Sequence, residues 1–308
     1  MIYLNQELYG LYKNQLMRII VSGITGFIGS HIAEVLSKEH VIVGLIHSGF
    51  NRIDEIKNNN IWLAPLGKSE IGQADVFIHC AWGGVTAAER NDWRAQAKNI
   101  SLIFEMLEIA NRAGCKHFIA LGSQAEYGVF NGRVDETYPC KPTTAYGAAK
   151  VACSHVVEAF CEAHGMKWNW LRLFSVYGTR ESINWFIPSV IMNALRGKDM
   201  ELTKCEQKYD YLPAPIVAQY IRQVIETPVS GIFNLSSNGS ISLKEIVNYI
   251  KKETKTTAKL NLTLPYREGQ VMHMEGNSEL FMDIFHDSSF PFTLNDLDIV
   301  IENYKSKL

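Results

Sequence analysis

The chain has 308 residues, 47% hydrophobic and 20% charged, which excludes a disordered, collagen-like or disulfide-scaffold protein. At roughly 150 residues per domain this length makes two domains or one large α/β domain, able to bury about three quarters of its unfolded surface. Thirty basic against 32 acidic residues leave a formal net charge of −2, so no basic stripe exists for a phosphate backbone and nucleic acid is not expected as a partner.

Residues 1–16 precede the first strand pattern and read either as an extension outside the fold or as a start assigned too early. Arg18–Ser22 (RIIVS) reads as a buried strand, followed by a glycine turn and a helix through FIGSHIAEVLSK. Val41–Ile46 is a second strand and residues 76–81 a later one. Residues 93–113 carry helical periodicity up to Gly114, a C-cap. His117–Ser123 is the next strand, residues 145–164 a helix ended by Gly165, and residues 168–174 a further strand. Short apolar runs alternating with helices predict βαβ units and a parallel sheet over residues 17–178. Beyond that the rhythm is irregular: helices within 182–197, 216–226, 242–253 and 294–308, and a strand within 232–237 able to return to the main sheet. Residues 179–308 therefore predict a smaller lobe with segments returning to the first domain.

The six cysteines (Cys80, Cys115, Cys140, Cys153, Cys161 and Cys205) form no CxxC pair and have no histidine at zinc spacing. No metal is expected, and reduced thiols in the cytoplasm are the simplest account. No apolar run reaches the ~18 residues of a membrane span. The N-terminus also lacks the basic start and apolar core of a signal peptide.

Chemistry concentrates at two motifs. Gly23-Ile-Thr-Gly26-Phe-Ile-Gly29 lies between strand and helix, where glycines allow a tight turn and close approach of a pyrophosphate to a helix N-terminus. A glycine trio alone also suits a plain βα turn; in this context Gly23, Thr25, Gly26, Phe27, Ile28 and Gly29 are candidate dinucleotide ligands. Tyr146 and Lys150 stand at i and i+4 and share a helix face. A cation there would lower the phenol pKa from about 10 and let Tyr146 exchange a proton with a substrate oxygen. After the second strand comes His47-Ser-Gly-Phe-Asn-Arg52, with no acid before Asp54. An acid is what usually binds the ribose 2′-hydroxyl of NAD. His47 and Arg52 suit a 2′-phosphate, so NADP is favoured, with NAD possible.

The GxxGxxG spacing, the YxxxK of Tyr146–Lys150, Ser123 closing a strand 23 residues earlier, LRLFSVYG at 171–178 and the helical Asn99 occur in order. Together they resemble the extended, sugar-nucleotide-modifying branch of the short-chain dehydrogenase/reductase superfamily, the NAD-dependent epimerase/dehydratase family. The resemblance implies an α/β, Rossmann-type doubly wound parallel sheet with a smaller C-terminal α/β substrate lobe. It implies a nucleotide at the carboxyl ends of the strands and a sugar in the cleft. It further implies that Ser123, Tyr146 and Lys150 are catalytic, that Lys150 also holds the nicotinamide ribose, and that Ala81, Leu121 and Asn99 join the cofactor site. Dimerisation through helices 93–113 and 145–164 is expected by analogy.

The 4,6-dehydratases of this branch carry Thr-Asp-Glu ahead of a Tyr-Gly pair. Aligned on Tyr127-Gly128, this chain has Ser123, Gln124 and Ala125 there, and Glu126 falls one position out. Dehydration is therefore not expected. The pattern resembles reductases that make deoxy- or dideoxyhexose sugar nucleotides from a nucleotide-diphosphate 4-keto-6-deoxy sugar. A sugar-nucleotide 4-epimerase is the rival, and a noncatalytic NADP-sensing or scaffold protein the alternative from another class. Candidate substrate contacts are Trp82, Ser123, Gln124, Ala125, Ser175, Arg180 and Arg267. Two departures stand out: Ser175 replaces the asparagine usual in epimerases, and residues 209–216 read Tyr-Asp-Tyr-Leu-Pro-Ala-Pro-Ile where the branch carries an arginine and paired acids.

Overall fold

The computed structural model describes residues 15–46, 58–67, 71–86, 88–285 and 290–308. In chain order β1 (Arg18–Ser22), α1 (Phe27–Leu36), β2 (Val41–Ile46), β3 (Ile61–Pro65) and β4 (Val76–His79) lead into α2 (Trp93–Arg112). Then come β5 (His117–Ser123), β6 (Gly132–Val134), α3 (Ala145–Ala163), β7 (Lys167–Leu173), β8 (Ser175–Tyr177) and α4 (Phe186–Leu195). β9 (Met200–Thr203), β10 (Lys208–Tyr209), β11 (Tyr211–Pro213), α5 (Ala214–Glu226), β12 (Gly231–Leu235) and β13 (Ile241–Ser242) follow. The chain closes with α6 (Leu243–Thr254), β14 (Leu260–Leu264), β15 (His273–Gly276), α7 (Glu279–Phe285) and α8 (Asp298–Lys305).

These elements form two compact units, neither continuous in sequence. The first comprises the described parts of residues 1–128 with 139–172 and 215–233; the second comprises 129–138, 173–214 and the described parts of 234–308.

The first unit is built on a seven-stranded parallel sheet in the order β12-β7-β5-β4-β1-β2-β3. From β1 the chain first works outward to β3, then returns to place β4 on the other flank of β1. That reversal is the topological switch point at which ligands of such sheets collect. Central parallel strands are covered on both faces and read as continuous apolar runs, and all residues of β4 and β5 are buried. Beneath α2 and α3 the core holds Ile20, Phe77, Ile103, Leu107, Phe118, Val157 and Trp170.

The second unit carries a four-stranded sheet in the order β13-β10-β15-β6 and the strand pairs β11/β8 and β14/β9. Its core gathers Ile187 and Val190 of α4, Leu243 and Ile246 of α6, and Ile301 of α8. Helix α6 begins with a capping box: Ser242 Oγ accepts from Glu245 N, and Glu245 Oε2 accepts from Ser242 N. All six cysteines are free thiols. Among the described residues no helix is long and apolar enough to cross a membrane.

Candidate active site

The first wall of the site is the turn between β1 and α1. Gly23 has φ of 70°, and a Cβ there would lie 2.6 Å from the Ala81 backbone nitrogen; a Cβ on Gly29 would lie 2.2 Å from the Gly23 carbonyl oxygen. Only glycine lets β1, the β4 exit and α1 approach this closely. Gly26 caps α1 without a side-chain partner, and the first turn of α1 carries no acid. The first-turn amides of the Phe27–Ile28–Gly29 segment therefore suit the diphosphate of a dinucleotide. Thr25 is buried beside them. The candidates His47 and Arg52 lie outside the described residues.

The second wall is the loop that leaves β4 through Ala81, Trp82, Gly83 and Gly84. Two buried amides on α2 hold it. Asn99 accepts from Gly83 N at 2.8 Å and donates to Gly83 O at 3.0 Å. Gln96 donates to Gly84 O at 2.7 Å and Glu89 O at 3.2 Å, while its oxygen accepts from Trp82 Nε1 at 3.0 Å and Asn99 Nδ2 at 3.1 Å. In this structure Asn99 acts on the loop, with both amide atoms committed to it. Trp82 stands edge-on to the Tyr146 ring, centroids 5.9 Å apart.

The third wall is the carboxyl end of β5. Ser123 ends the strand and caps a short 3-10 turn, with its Oγ accepting from Ala125 N at 3.2 Å and donating to the Gln124 side chain at 3.2 Å. Glu126 is fully buried beneath it. Its Oε1 accepts from Ser123 N and from Trp170 Nε1, both at 2.8 Å, and its Oε2 from Arg172 Nε at 2.7 Å. The carboxylate thus fixes the backbone of Ser123 from the core side.

Helix α3 brings the fourth. Thr144 caps it by accepting from Gly147 N at 3.1 Å. Gly147 leaves room for the Ala125 carbonyl oxygen, which a Cβ would approach to 2.4 Å. That contact sets Tyr146 near Ser123, whose hydroxyl is among the groups that act on its phenol. One turn on, the buried Lys150 donates to Leu121 O at 2.6 Å, and its Nζ rides 3.5 Å from the Trp82 ring centroid.

Burial dominates the electrostatics. It raises the Tyr146 phenol above its ordinary value, against the pull of the nearby Arg90 and the Ser123 hydroxyl. It also pushes the Lys150 ammonium down to about 8, with Glu126 the strongest opposing influence. The expectation that Lys150 lowers the Tyr146 pKa thus meets a different arrangement. Lys150 turns to the Leu121 carbonyl and the Trp82 face, and the nearer cation over the Tyr146 ring is Arg90, 4.6 Å from its centroid against 5.8 Å for Lys150. His79, next to this loop, bonds Ser22 Oγ at 2.8 Å and is held neutral, burial pushing it down to about 3.

Three sequence candidates belong to the second unit. Ser175 on β8 is half-buried and donates from its backbone to Asp210 O at 3.2 Å. Arg180 adopts a left-handed φ of 68°. Arg267 is exposed on the loop after β14. The first unit brings together Ala81, Trp82, Asn99, Leu121, Ser123, Gln124, Ala125, Tyr146 and Lys150.

The sequence pattern of the NAD dependent epimerase/dehydratase family matches residues 19–236. The chain belongs to that family. Among curated proteins it is 26% identical over 246 residues to dTDP-6-deoxy-L-talose 4-dehydrogenase (NAD(+)) of Aggregatibacter actinomycetemcomitans, covering 75% of this chain and 88% of that one. It is 25% identical over 281 residues to CDP-abequose synthase of Salmonella muenchen, covering 89% and 93%. Its fold resembles that of UDP-N-acetylglucosamine 4-epimerase from Methanobrevibacter ruminantium M1, solved in complex with UDP-N-acetylmuramic acid. That TM-score is 0.87 at 20% identity, with 96% of this chain and 100% of the other covered.

Within this epimerase/dehydratase framework the structure adds Glu126, Gln96 and Arg90 to the residues that shape the site. The first was legible: Ser123-Gln-Ala-Glu126 has the spacing of a capping box. Gln96 and Asn99 share a helix face at i and i+3, a weaker sign. Nothing in the sequence around Arg90 signals its place over Tyr146.

Proposed function

We propose that the protein reduces the 4-keto group of a nucleotide-diphosphate 4-keto-6-deoxy sugar, with NADPH as cofactor, yielding a deoxy or dideoxy hexose nucleotide for surface polysaccharide. The observation that carries this reading is the buried Tyr146 with Ser123 and Lys150 around it at the carboxyl end of β5, beside the glycine turn. Dehydration is disfavoured because Gln124 and Ala125 bring no acid and the Glu126 carboxylate is committed to Ser123 N, Trp170 and Arg172.

When bound, the dinucleotide supplies the hydride for the carbonyl carbon. Gly23, Thr25, Gly26, Phe27, Ile28 and Gly29 would hold its diphosphate, with Ala81 and Leu121 alongside and Lys150 toward the ribose. Tyr146 donates its phenolic proton to the substrate oxygen as negative charge develops there. Ser123 Oγ donates a second hydrogen bond to that oxygen and so favours the charge of the transition state. Trp82, Gln124 and Ala125 would border the sugar. Ser175, Arg180 and Arg267 are proposed for the nucleotide and its diphosphate, the arginines because a guanidinium meets phosphate bidentately.

Similarity to CDP-abequose synthase supports the reductase reading. NADP is preferred because no acid follows β2 before Asp54. A sugar-nucleotide 4-epimerase with retained NAD is the second reading, favoured by the fold likeness to a 4-epimerase. A homodimer through α2 and α3 is part of the proposal; Phe104 on α2 is 46% exposed, a large apolar side chain without cover. A cytoplasmic location is supported by the free thiols.

The deciding experiment offers the purified protein NADPH or NADH with 4-keto-6-deoxy sugars on CDP, GDP, dTDP and UDP, following cofactor absorbance and product together. Stoichiometric loss of reduced cofactor with product is the expected result. A changed sugar without cofactor loss makes it an epimerase, and dinucleotide binding without any turnover makes it a sensor; either overturns the reductase.

A further inference from the structure

We propose that Arg90 is a positioning residue for the proton chemistry of Tyr146, stabilising the phenolate that forms when the proton leaves. This rests on Tyr146 as the proton donor. The Arg90 guanidinium lies over the Tyr146 ring, 4.6 Å from its centroid, whereas the Lys150 ammonium is 5.8 Å from it. A cation on an aromatic face is attracted to the neutral ring and far more strongly to the anion.

The position is held by construction. Arg90 sits on a 3-10 turn, Glu89–Asn91, whose Glu89 carbonyl takes a bond from Gln96 and whose Arg90 amide bonds Thr86 O at 3.0 Å. Asp92 follows at once as the cap of α2, accepting from Arg94 N and Ala95 N. The groups facing Tyr146 are Arg90 from this turn, Ser123 from the end of β5, Glu126 from the 3-10 turn after it, and Lys150 from its own helix, with the Cys80 thiol near Lys150. Of these, Arg90 is the largest influence drawing the phenol back down against burial, ahead of the Ser123 hydroxyl; Glu126 pushes it up. Lys150 is already engaged by Leu121 O and Trp82. The proton passes from the phenol oxygen to the substrate oxygen, and the charge left behind faces the guanidinium.

The test is an ultraviolet titration of tyrosinate, each protein compared with its own Tyr146→Phe partner so that only Tyr146 is read. Wild type, Arg90→Gln, Arg90→Lys and Lys150→Met are taken in turn, with far-ultraviolet circular dichroism confirming the fold. Arg90→Gln is expected to raise the midpoint by about one pH unit, Arg90→Lys by less, and the pH profile of kcat should move the same way. An unmoved midpoint in folded Arg90→Gln, or a larger rise in Lys150→Met, overturns the proposal. The titration needs no turnover, so an Arg90 effect beside an active Tyr146→Phe enzyme would sink the proton-donor reading alone.

Discussion

Lys150 keeps its charge in a place that resists it. The side chain is buried, and its pKa falls from 10.5 to about 8. Between those two values the unfolded chain binds more protons than the folded one, so stability rises with pH across that window, and below about 8 the full cost is present. Lys150→Met should therefore unfold at higher urea than wild type at pH 7, by about 2 kcal/mol: ~3 kcal/mol of relieved charge burial less ~1 for the lost Leu121 hydrogen bond. Above pH 10.5 the charge term is gone and the variant should be the less stable by about 1 kcal/mol, the lost Leu121 hydrogen bond; a constant difference at every pH would contradict the assignment. Tyr146→Phe should lower turnover by roughly 10²–10⁴-fold while dinucleotide affinity, measured by fluorescence titration, stays unchanged. Glu126 makes the opposite kind of contribution. Removing it in Glu126→Ala leaves Arg172 buried without its partner at 2.7 Å, and a loss of about 3–5 kcal/mol in denaturant unfolding is expected.

At the scale of elements, the site depends on how α3 begins. Thr144→Ala removes the bond to Gly147 N, and a loss of about 1 kcal/mol is expected from urea unfolding. Gly147→Ala would push a Cβ against the Ala125 carbonyl oxygen at 2.4 Å, moving Tyr146 away from Ser123. Turnover should fall there with dinucleotide binding intact; unchanged turnover would show that the contact can relax. Most elements were legible because their signals are local: β1, β2 and β5 are the apolar runs read from sequence, and α2 ends just before Gly114. β3 was not read. It is a five-residue edge strand, IWLAP, ending in Pro65; the run is apolar throughout, but its proline cannot donate to a ladder and weakens the strand signal. β8 and β10 were missed because strands of two or three residues exist only through their partners.

For the whole molecule, the oligomeric state is the property most open to direct measurement. A dimer is expected by sedimentation, and Phe104→Glu on the exposed face of α2 should give a monomer; an unaltered dimer would place the interface elsewhere. The chain path was partly readable. The strand within residues 232–237 was expected to return to the main sheet, and β12 is its edge strand beside β7. That residues 129–138 join the second unit was not, since β6 is three residues long and takes its place only by pairing with β15 from the far end of the chain.

The glycine turn and the Tyr146–Lys150 pair were determined by sequence alone. Each is complete within a few residues: a left-handed turn favours glycine wherever it occurs, and i, i+4 residues share a helix face in any protein. Which cation stands over Tyr146, what Asn99 holds and where Glu126 points were decided by tertiary structure. Those contacts join Arg90 to Tyr146, Gly83 to α2 and Glu126 to Arg172 across many residues. No local propensity encodes them; the packing of strand, loop and helix around a buried charge does.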